Sequence, residues 1–447
     1  MAAANGAAAK PAPPRAGSHA SPLNRPLTSY YLIIGASGLL LAIGLVMVLS
    51  TTSAAQLSAG HPPYALFKKQ LLGVAVAVPV MWALSRAPAA LFRALARPAL
   101  LAAMGSLVFV LAFGTSANGA ERWIRVGPVT VQPSEFAKLA LVLWGADLLA
   151  RKEQLGQLTD WRSLLVPLLP GAAIVVILVK LGHDIGTTFL LLVILLALLW
   201  VIGTPGRLFA GLLALLSLAL LLQIITTAYA TSRLTGFMSA AGGPTGPNMQ
   251  GIQGKWAIGS GGLFGVGLGN GAGKWGWVPE ASNDFIFAIL GEELGLIGTV
   301  SVVLLYGALA YAGLRVARRV TEPFMRLAAG GVTAWISIQA LVNICAVVGL
   351  LPITGVPLPL ISDGLSSLLA TTAALGMLMS FARREPGAQE ALAAAKHGRL
   401  SRLLRSLGRD AAPPGPGTTS RSPGPRGPGR MSARAGSGRP PVPVRPR

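Results

Sequence analysis

Thr187–Gly203 reads TTFLLLVILLALLWVIG, seventeen residues in which no side chain carries a charge. A helix of about this length approaches the ~30 Å hydrocarbon core of a bilayer, and in water so long an uncharged run would have to be enclosed on every side. Nine further runs of the same character lie at roughly 30–50, 70–85, 98–114, 135–150, 164–180, 208–229, 285–314, 327–350 and 366–382. Backbone groups in lipid must be satisfied within their own segment, so these runs are expected to be helices rather than strands. The reading is an all-α polytopic membrane protein with about ten transmembrane helices and a long outer loop between helices seven and eight. Composition agrees: 53% of the 447 residues are apolar and 12% charged, where a soluble domain carries about a quarter charged. An ordinary soluble enzyme is excluded.

The net charge of +22 raises the question of nucleic acid. Fourteen of the 37 Lys and Arg, with three acids, follow Phe381 on a Pro- and Gly-rich stretch with no apolar period, so half of the excess is tail rather than groove. No nucleic-acid partner is expected. Residues 1–29 read as a disordered cytoplasmic lead-in without a cleavable signal peptide, 30–382 as the membrane domain, and 383–447 as a disordered basic cytoplasmic tail. Within the tail, Leu400, Leu403, Leu404 and Leu407 recur at helical spacing among arginines, the pattern of a short helix lying on the inner leaflet. With the N-terminus inside, fourteen Lys and Arg of the connections fall on the cytoplasmic side and eight outside, which places both termini in the cytoplasm. The lone Cys345 excludes a disulfide framework or a cysteine-cluster metal site within the chain.

The connection at about 230–284 far exceeds the usual handful of residues, which points to function or disorder. Of fifteen acids, nine lie within the membrane domain or on its outer side: Glu121, Glu135, Asp147, Asp184, Glu280, Asp284, Glu292, Glu293 and Asp363. Ionisable groups there are costly and mark functional candidates. Glu135 and Lys138 share one helix face, which fits a structural ion pair and a substrate-facing role equally. The loop carries Gln253, Lys255 and Lys274 among many glycines, a composition that admits close approach of an anionic headgroup or simply a flexible linker. Asn283 or Asp284 could cap the following helix. Alternatively Asp284 is a partly desolvated carboxylate at the membrane surface, suited to general-base work.

Four motifs occur in order. They are Asn118-Gly-Ala-Glu-Arg122-Trp123 with Gln132-Pro-Ser-Glu135-Phe-Ala-Lys138; Asp184-Ile-Gly-Thr187; the glycine-rich loop running into Pro279-Glu280 and on to Glu293; and Asn343 with Gly349-Leu-Leu-Pro352-Ile-Thr354-Gly355, Ser362 and Ser366-Ser367. Together they resemble the SEDS family (shape, elongation, division, sporulation) of peptidoglycan glycosyltransferases over about Tyr30 to Arg384. The similarity is greater to the division-type FtsW branch, as found in high-GC Gram-positive bacteria, than to the elongation-type RodA branch. The resemblance implies septal cell-wall synthesis at the inner (plasma) membrane, with lipid II polymerised into glycan strands by an inverting transfer. It makes Asp284 the general base and places Lys69, Arg122, Arg233 and Lys274 at basic positions that meet leaving-group charge. Glu135, Lys138, Asp184, Gln253, Glu280, Ser366 and Ser367 join them as substrate-binding residues. It also implies a class B penicillin-binding transpeptidase and other division membrane proteins as partners.

Four positions depart from the family pattern. His183 and Ile185 stand where Pro and Leu are usual, and Ser362-Asp363-Gly364-Leu365-Ser366-Ser367 replaces Ser-Tyr-Gly-Gly-Ser-Ser. No cofactor is certain: the outer carboxylates could hold a divalent cation such as Mg or Mn, yet no ligand spacing requires one. Two other classes of function remain open: a lipid II flippase, which buried charges between helices also fit, and a non-catalytic division scaffold whose tail recruits cytoplasmic partners.

Overall fold

A computed structural model describes residues 26–117, 120–127, 129–156, 161–226, 231, 234–237 and 248–394. Residues 1–25 of the lead-in, Arg233 and the Gly398–Arg409 segment of the tail lie outside the described residues, and α1 takes in the last two positions of the lead-in. Ten helices coincide with the ten apolar runs: α1 (Thr28–Ser58), α2 (Ala65–Leu84), α3 (Ala89–Phe113), α4 (Pro133–Gln154), α5 (Trp161–Leu181), α6 (Ile185–Val201), α7 (Gly206–Thr226), α9 (Ile286–Arg319), α10 (Pro323–Val347) and α11 (Leu365–Ala382). An eleventh, α8 (Met249–Gly261), forms within the long connection. By length and composition α1, α2, α3, α9, α10 and α11 can each cross a membrane. The protein is a multi-pass membrane protein.

Burial separates an inner set of helices from an outer one. The most apolar window of α11 is 78% buried and that of α10 67%, against 22% for α2 and 28% for α3. The helix α4 packs against α3, α6 and α10, and it hides Glu135, Lys138 and Asp147. Those charges lower its apolarity and bind it to the interior, where lipid cannot reach them. At one end of the bundle a three-stranded antiparallel sheet, β1 (Thr115–Ala117), β2 (Ala120–Val126) and β3 (Val129–Val131), links α3 to α4. Apolar periodicity does not anticipate this sheet, because its strands are too short to show alternation. It sits in a connection, so the exclusion of open strands from lipid is not broken.

The 34-residue α9 would span about 50 Å if straight. It breaks at Gly295 (φ 67°, ψ −163°). The groups freed at the break are taken up by the glycine-rich segment after α8: Val266 and Gly267 donate to the Glu292 and Glu293 carbonyls (2.9 and 3.1 Å), and Leu296 and Ile297 donate to the Gly262 and Leu263 carbonyls (3.0 and 3.3 Å). Broken helices at membrane depth are tolerated only when neighbours satisfy them in this way. The approach is close enough to demand glycine. A Cβ on Gly265 (φ +82°) would lie 2.1 Å from the Glu293 carbonyl oxygen. The loop is therefore not a flexible linker here but a brace on α9. Gly265→Ala is expected to destabilise by about 3 kcal/mol or more, combining left-handed strain with backbone overlap. Gly259→Ala, with open space around its Cβ, serves as the unaffected control in thermal unfolding in detergent.

Candidate active site

The loops between α3 and α4, before α9 and between α10 and α11 meet at one end of the bundle and enclose a cavity of about 390 Å³. Seven of the residues proposed from sequence line it: Arg122, Glu135, Asp184, Glu280, Asp284, Ser366 and Ser367. Arg122 and Trp123 are delivered by β2, Glu135 by the first turn of α4, and Asp184 by the N-cap of α6. Ser366 and Ser367 come from the first turn of α11.

The segment carrying Asp284 is held through three successive carbonyls. The Ser282 carbonyl accepts from the Asp363 N–H (2.9 Å), that of Asn283 from Ser362 Oγ (2.8 Å), and that of Asp284 from Asn343 Nδ2 (2.8 Å). Asn343 Nδ2 also donates to the Val356 carbonyl (2.7 Å), so the loops before α9 and after α10 are fixed to each other. Main-chain carbonyls bound in this way at successive residues make a rigid frame. The helix α9 starts at Ile286 after Phe285, and Asn283 spends its amide on Glu280 Oε2 (2.8 Å) instead of a cap. Glu280 itself holds φ 53°, an uncommon conformation for a side chain of its kind and one often found at functional sites. Neither Asn343 nor Ser362 is recognisable from sequence as a positioning residue, because each acts on main chain 59 and 79 residues away.

Asp184 caps α6: Oδ1 accepts from the Thr187 N–H (3.1 Å), and Oδ2 from Thr187 Oγ1 (2.8 Å), Gln132 Nε2 (3.1 Å) and Ser134 Oγ (3.2 Å). Arg122 lies 3.9 Å from Asp184 and donates to the His183 carbonyl. His183 has φ 57°, which a proline ring locked near −65° cannot adopt, so the departure at this position changes the backbone that receives Arg122.

The Glu135–Lys138 pair has two sides. Lys138 is fully enclosed, donating to Glu135 Oε1 (2.9 Å) and Gln339 Oε1 (3.0 Å) beneath the Trp335 ring. It does not line the cavity. Glu135 does, and its buried Oε2 has no hydrogen-bond partner. The structural and the substrate-facing readings thus divide between the two residues.

Lys274 lies apart from the cavity. It is buried 2.8 Å from Glu293 and 2.9 Å from Ser50 Oγ, away from the cavity lining, while Glu292 accepts from the Ala272 and Gly273 N–H groups. These bonds anchor the brace described above. Gln253 is buried on α8, off the lining, with Oε1 unpartnered. Lys69, partly buried on α2, also lies off the lining, yet its charge reaches Asp363. Arg233 lies outside the described residues. Leu365, in place of the usual glycine, fills the space opposite Gly73, where a Cβ would meet its Cδ1 at 2.6 Å. Among the described residues no group of three or more His, Cys, Asp or Glu is placed to hold a metal ion.

The carboxyl that sequence did not assign is Asp363, which lines the same cavity. Burial pushes it above the ordinary carboxylate range, with Lys69 pulling it partly back.

Known proteins share this frame. The chain is 38% identical over 385 residues to the "Probable peptidoglycan glycosyltransferase FtsW" of Mycobacterium tuberculosis, covering 86% of this chain and 73% of that protein. It superimposes on a solved structure named "Structural coordination of polymerization and crosslinking by a peptidoglycan synthase complex" with TM-score 0.65 at 27% identity, covering 79% of this chain and 97% of the other. The rod shape determining protein RodA of Thermus thermophilus gives TM-score 0.58 at 27% identity with the same coverage. A family profile described as cell cycle protein, FtsW/RodA/SpoVE, matches residues 30–386, and with this match and these likenesses the chain belongs to that family.

Proposed function

We infer that this protein is a peptidoglycan glycosyltransferase that polymerises lipid II at the outer face of the plasma membrane during division. Its relatives carry that activity in their names, and the complex it superimposes on couples polymerisation to crosslinking. The observation that carries the site assignment is the sharing of one cavity by Asp284, Arg122, Glu135 and Asp184, with Asp284 on a main chain fixed at three carbonyls.

In the reaction the 4-hydroxyl of the acceptor sugar attacks the anomeric carbon of the lipid-linked donor. Asp284 takes the hydroxyl proton, the new C–O bond forms, and the old anomeric C–O bond breaks with its electron pair leaving on the lipid diphosphate. One displacement inverts the α-linked donor to a β-1,4 product, so one base suffices and no glycosyl-enzyme is needed. Arg122 and the N-terminal turn of α11 supply positive charge and N–H donors toward the diphosphate. Glu135 Oε2 and Asp184 bind and orient sugar hydroxyls or amides. Both termini are cytoplasmic and the protein works at the septum with a class B penicillin-binding transpeptidase. The test is polymerisation of lipid II by the purified chain, alone and with that transpeptidase and with EDTA added. Glycan strands are expected, and their absence in every condition, with headgroup translocation instead, would replace the transferase by a flippase.

A further inference from the structure

Lys138 is enclosed completely, so none of its three N–H donors can turn to bulk water. One goes to Glu135 Oε1 (2.9 Å) and a second to Gln339 Oε1 (3.0 Å), while the Trp335 ring lies 5.0 Å from the ammonium. Gln339, equally enclosed on α10, uses both ends of its amide. Its Oε1 also accepts from Trp335 Nε1 (2.7 Å), and its Nε2 donates to the Pro357 carbonyl (2.9 Å). Two donors on one side and a carbonyl on the other allow a single orientation of the amide. One turn along α10, Asn343 donates to the Val356 carbonyl, so Val356 and Pro357 of the cavity wall are both fixed from the same helix face. The second oxygen of the lysine's own partner, Glu135 Oε2, is left buried on the cavity without a hydrogen bond.

Resting on the glycosyltransferase reading, we propose that Gln339 is a positioning residue: it holds one N–H of Lys138 and so keeps that ammonium off Glu135 Oε2, leaving this oxygen to accept from a sugar hydroxyl or amide N–H of the lipid-linked substrate. The two oxygens of a carboxylate lie on one carbon, and an ammonium held by the first alone would reach both with a small turn of its Nζ. Gln339 prevents that turn by holding another of the N–H groups. Leaving Oε2 unpaired in the free protein costs a buried hydrogen bond, which a donor on the substrate restores. A bond to a member of an ion pair is also the stronger kind. Gln339 itself does not line the cavity, so it acts only through Lys138 and the Pro357 wall.

The experiment measures Kd and KM for lipid II with the purified full chain in detergent. Gln339→Met offers Lys138 no oxygen, and the freed N–H closes on Glu135 Oε2. Kd and KM are expected to rise about tenfold, the scale of one hydrogen bond to a charged group, with kcat changed far less. Gln339→Glu keeps an oxygen toward Lys138 and should bind as wild type does. Trp335→Phe removes a hydrogen bond from the same buried network while leaving Lys138 on Gln339, and it too should keep wild-type affinity. Glu135→Gln weakens binding by itself, and adding Gln339→Met to it should weaken binding no further. Wild-type affinity in Gln339→Met, an equal loss in Trp335→Phe, or additive losses in the double variant would each overturn the assignment and leave Gln339 a purely structural residue. If Gln339→Met does not fold, Gln339→Glu decides: a tenfold loss with the acceptor retained overturns the proposal, and wild-type affinity supports it. A chain that binds lipid II and forms no glycan overturns the glycosyltransferase reading, while the Kd comparison still decides Gln339.

Discussion

Asp284→Ala is expected to lower lipid II polymerisation by at least about a hundredfold, the scale of losing a general base. Neighbouring elements hold the main chain here: the Asp284 carbonyl accepts from Asn343, and the carbonyls of Ser282 and Asn283 are bound by Asp363 and Ser362. Alanine retains all three bonds, so thermal unfolding in detergent should stay near that of wild type while turnover is lost. Asp284→Asn, similar in shape but unable to take a proton, should be as inactive. Binding of the lipid-linked donor should survive in both, so the loss appears in kcat rather than KM. Retention of a tenth or more of the wild-type rate by either variant would remove Asp284 from the chemistry.

The second large effect is structural, and it concerns a residue that sequence assigns to substrate. Lys274→Met leaves the Glu293 carboxylate, fully buried, with Ser50 as its remaining side-chain partner. Removing one member of a buried ion pair typically costs about 3–5 kcal/mol. The consequence spreads, because Glu292 and Glu293 sit where the glycine-rich segment clasps the broken α9. The expected result is a large fall in thermal stability and in the yield of folded protein. Lys274→Met combined with Glu293→Leu should recover much of it, since replacing both charges by apolar groups is often neutral or better. If the single variant folds as wild type but shows a raised KM for lipid II, Lys274 is a diphosphate ligand after all and the pair is incidental.

The departures from the family pattern show how neighbouring structure absorbs a substitution. Leu365 is accommodated because α2 offers Gly73 opposite it, and His183 takes a backbone conformation closed to proline, exposing its carbonyl to Arg122. Asp363 has no such compensation among the described residues and lies partly exposed on the cavity lining.

Ten helices and their order were legible in the sequence, because hydropathy is summed over consecutive residues and a bilayer imposes one length on every span. The same holds for the catalytic candidates taken together, since an ionisable side chain in an apolar domain stands out wherever it points. Which candidates share a cavity is a different kind of fact. Lys274 and Arg122 look equivalent along the chain, yet one closes on Glu293 inside the bundle while the other lines the cavity. Glu135 and Lys138, three residues apart on one helix, face different surroundings because α10 supplies Gln339 and Trp335 to the lysine alone. The break in α9 and the clasp that satisfies it depend on carbonyls and amides about 30 residues apart, and main-chain groups carry no sequence signature. Local chemistry settled what each residue is able to do, and only the packing of distant segments, where burial and partner are decided together, settled which of those abilities is used.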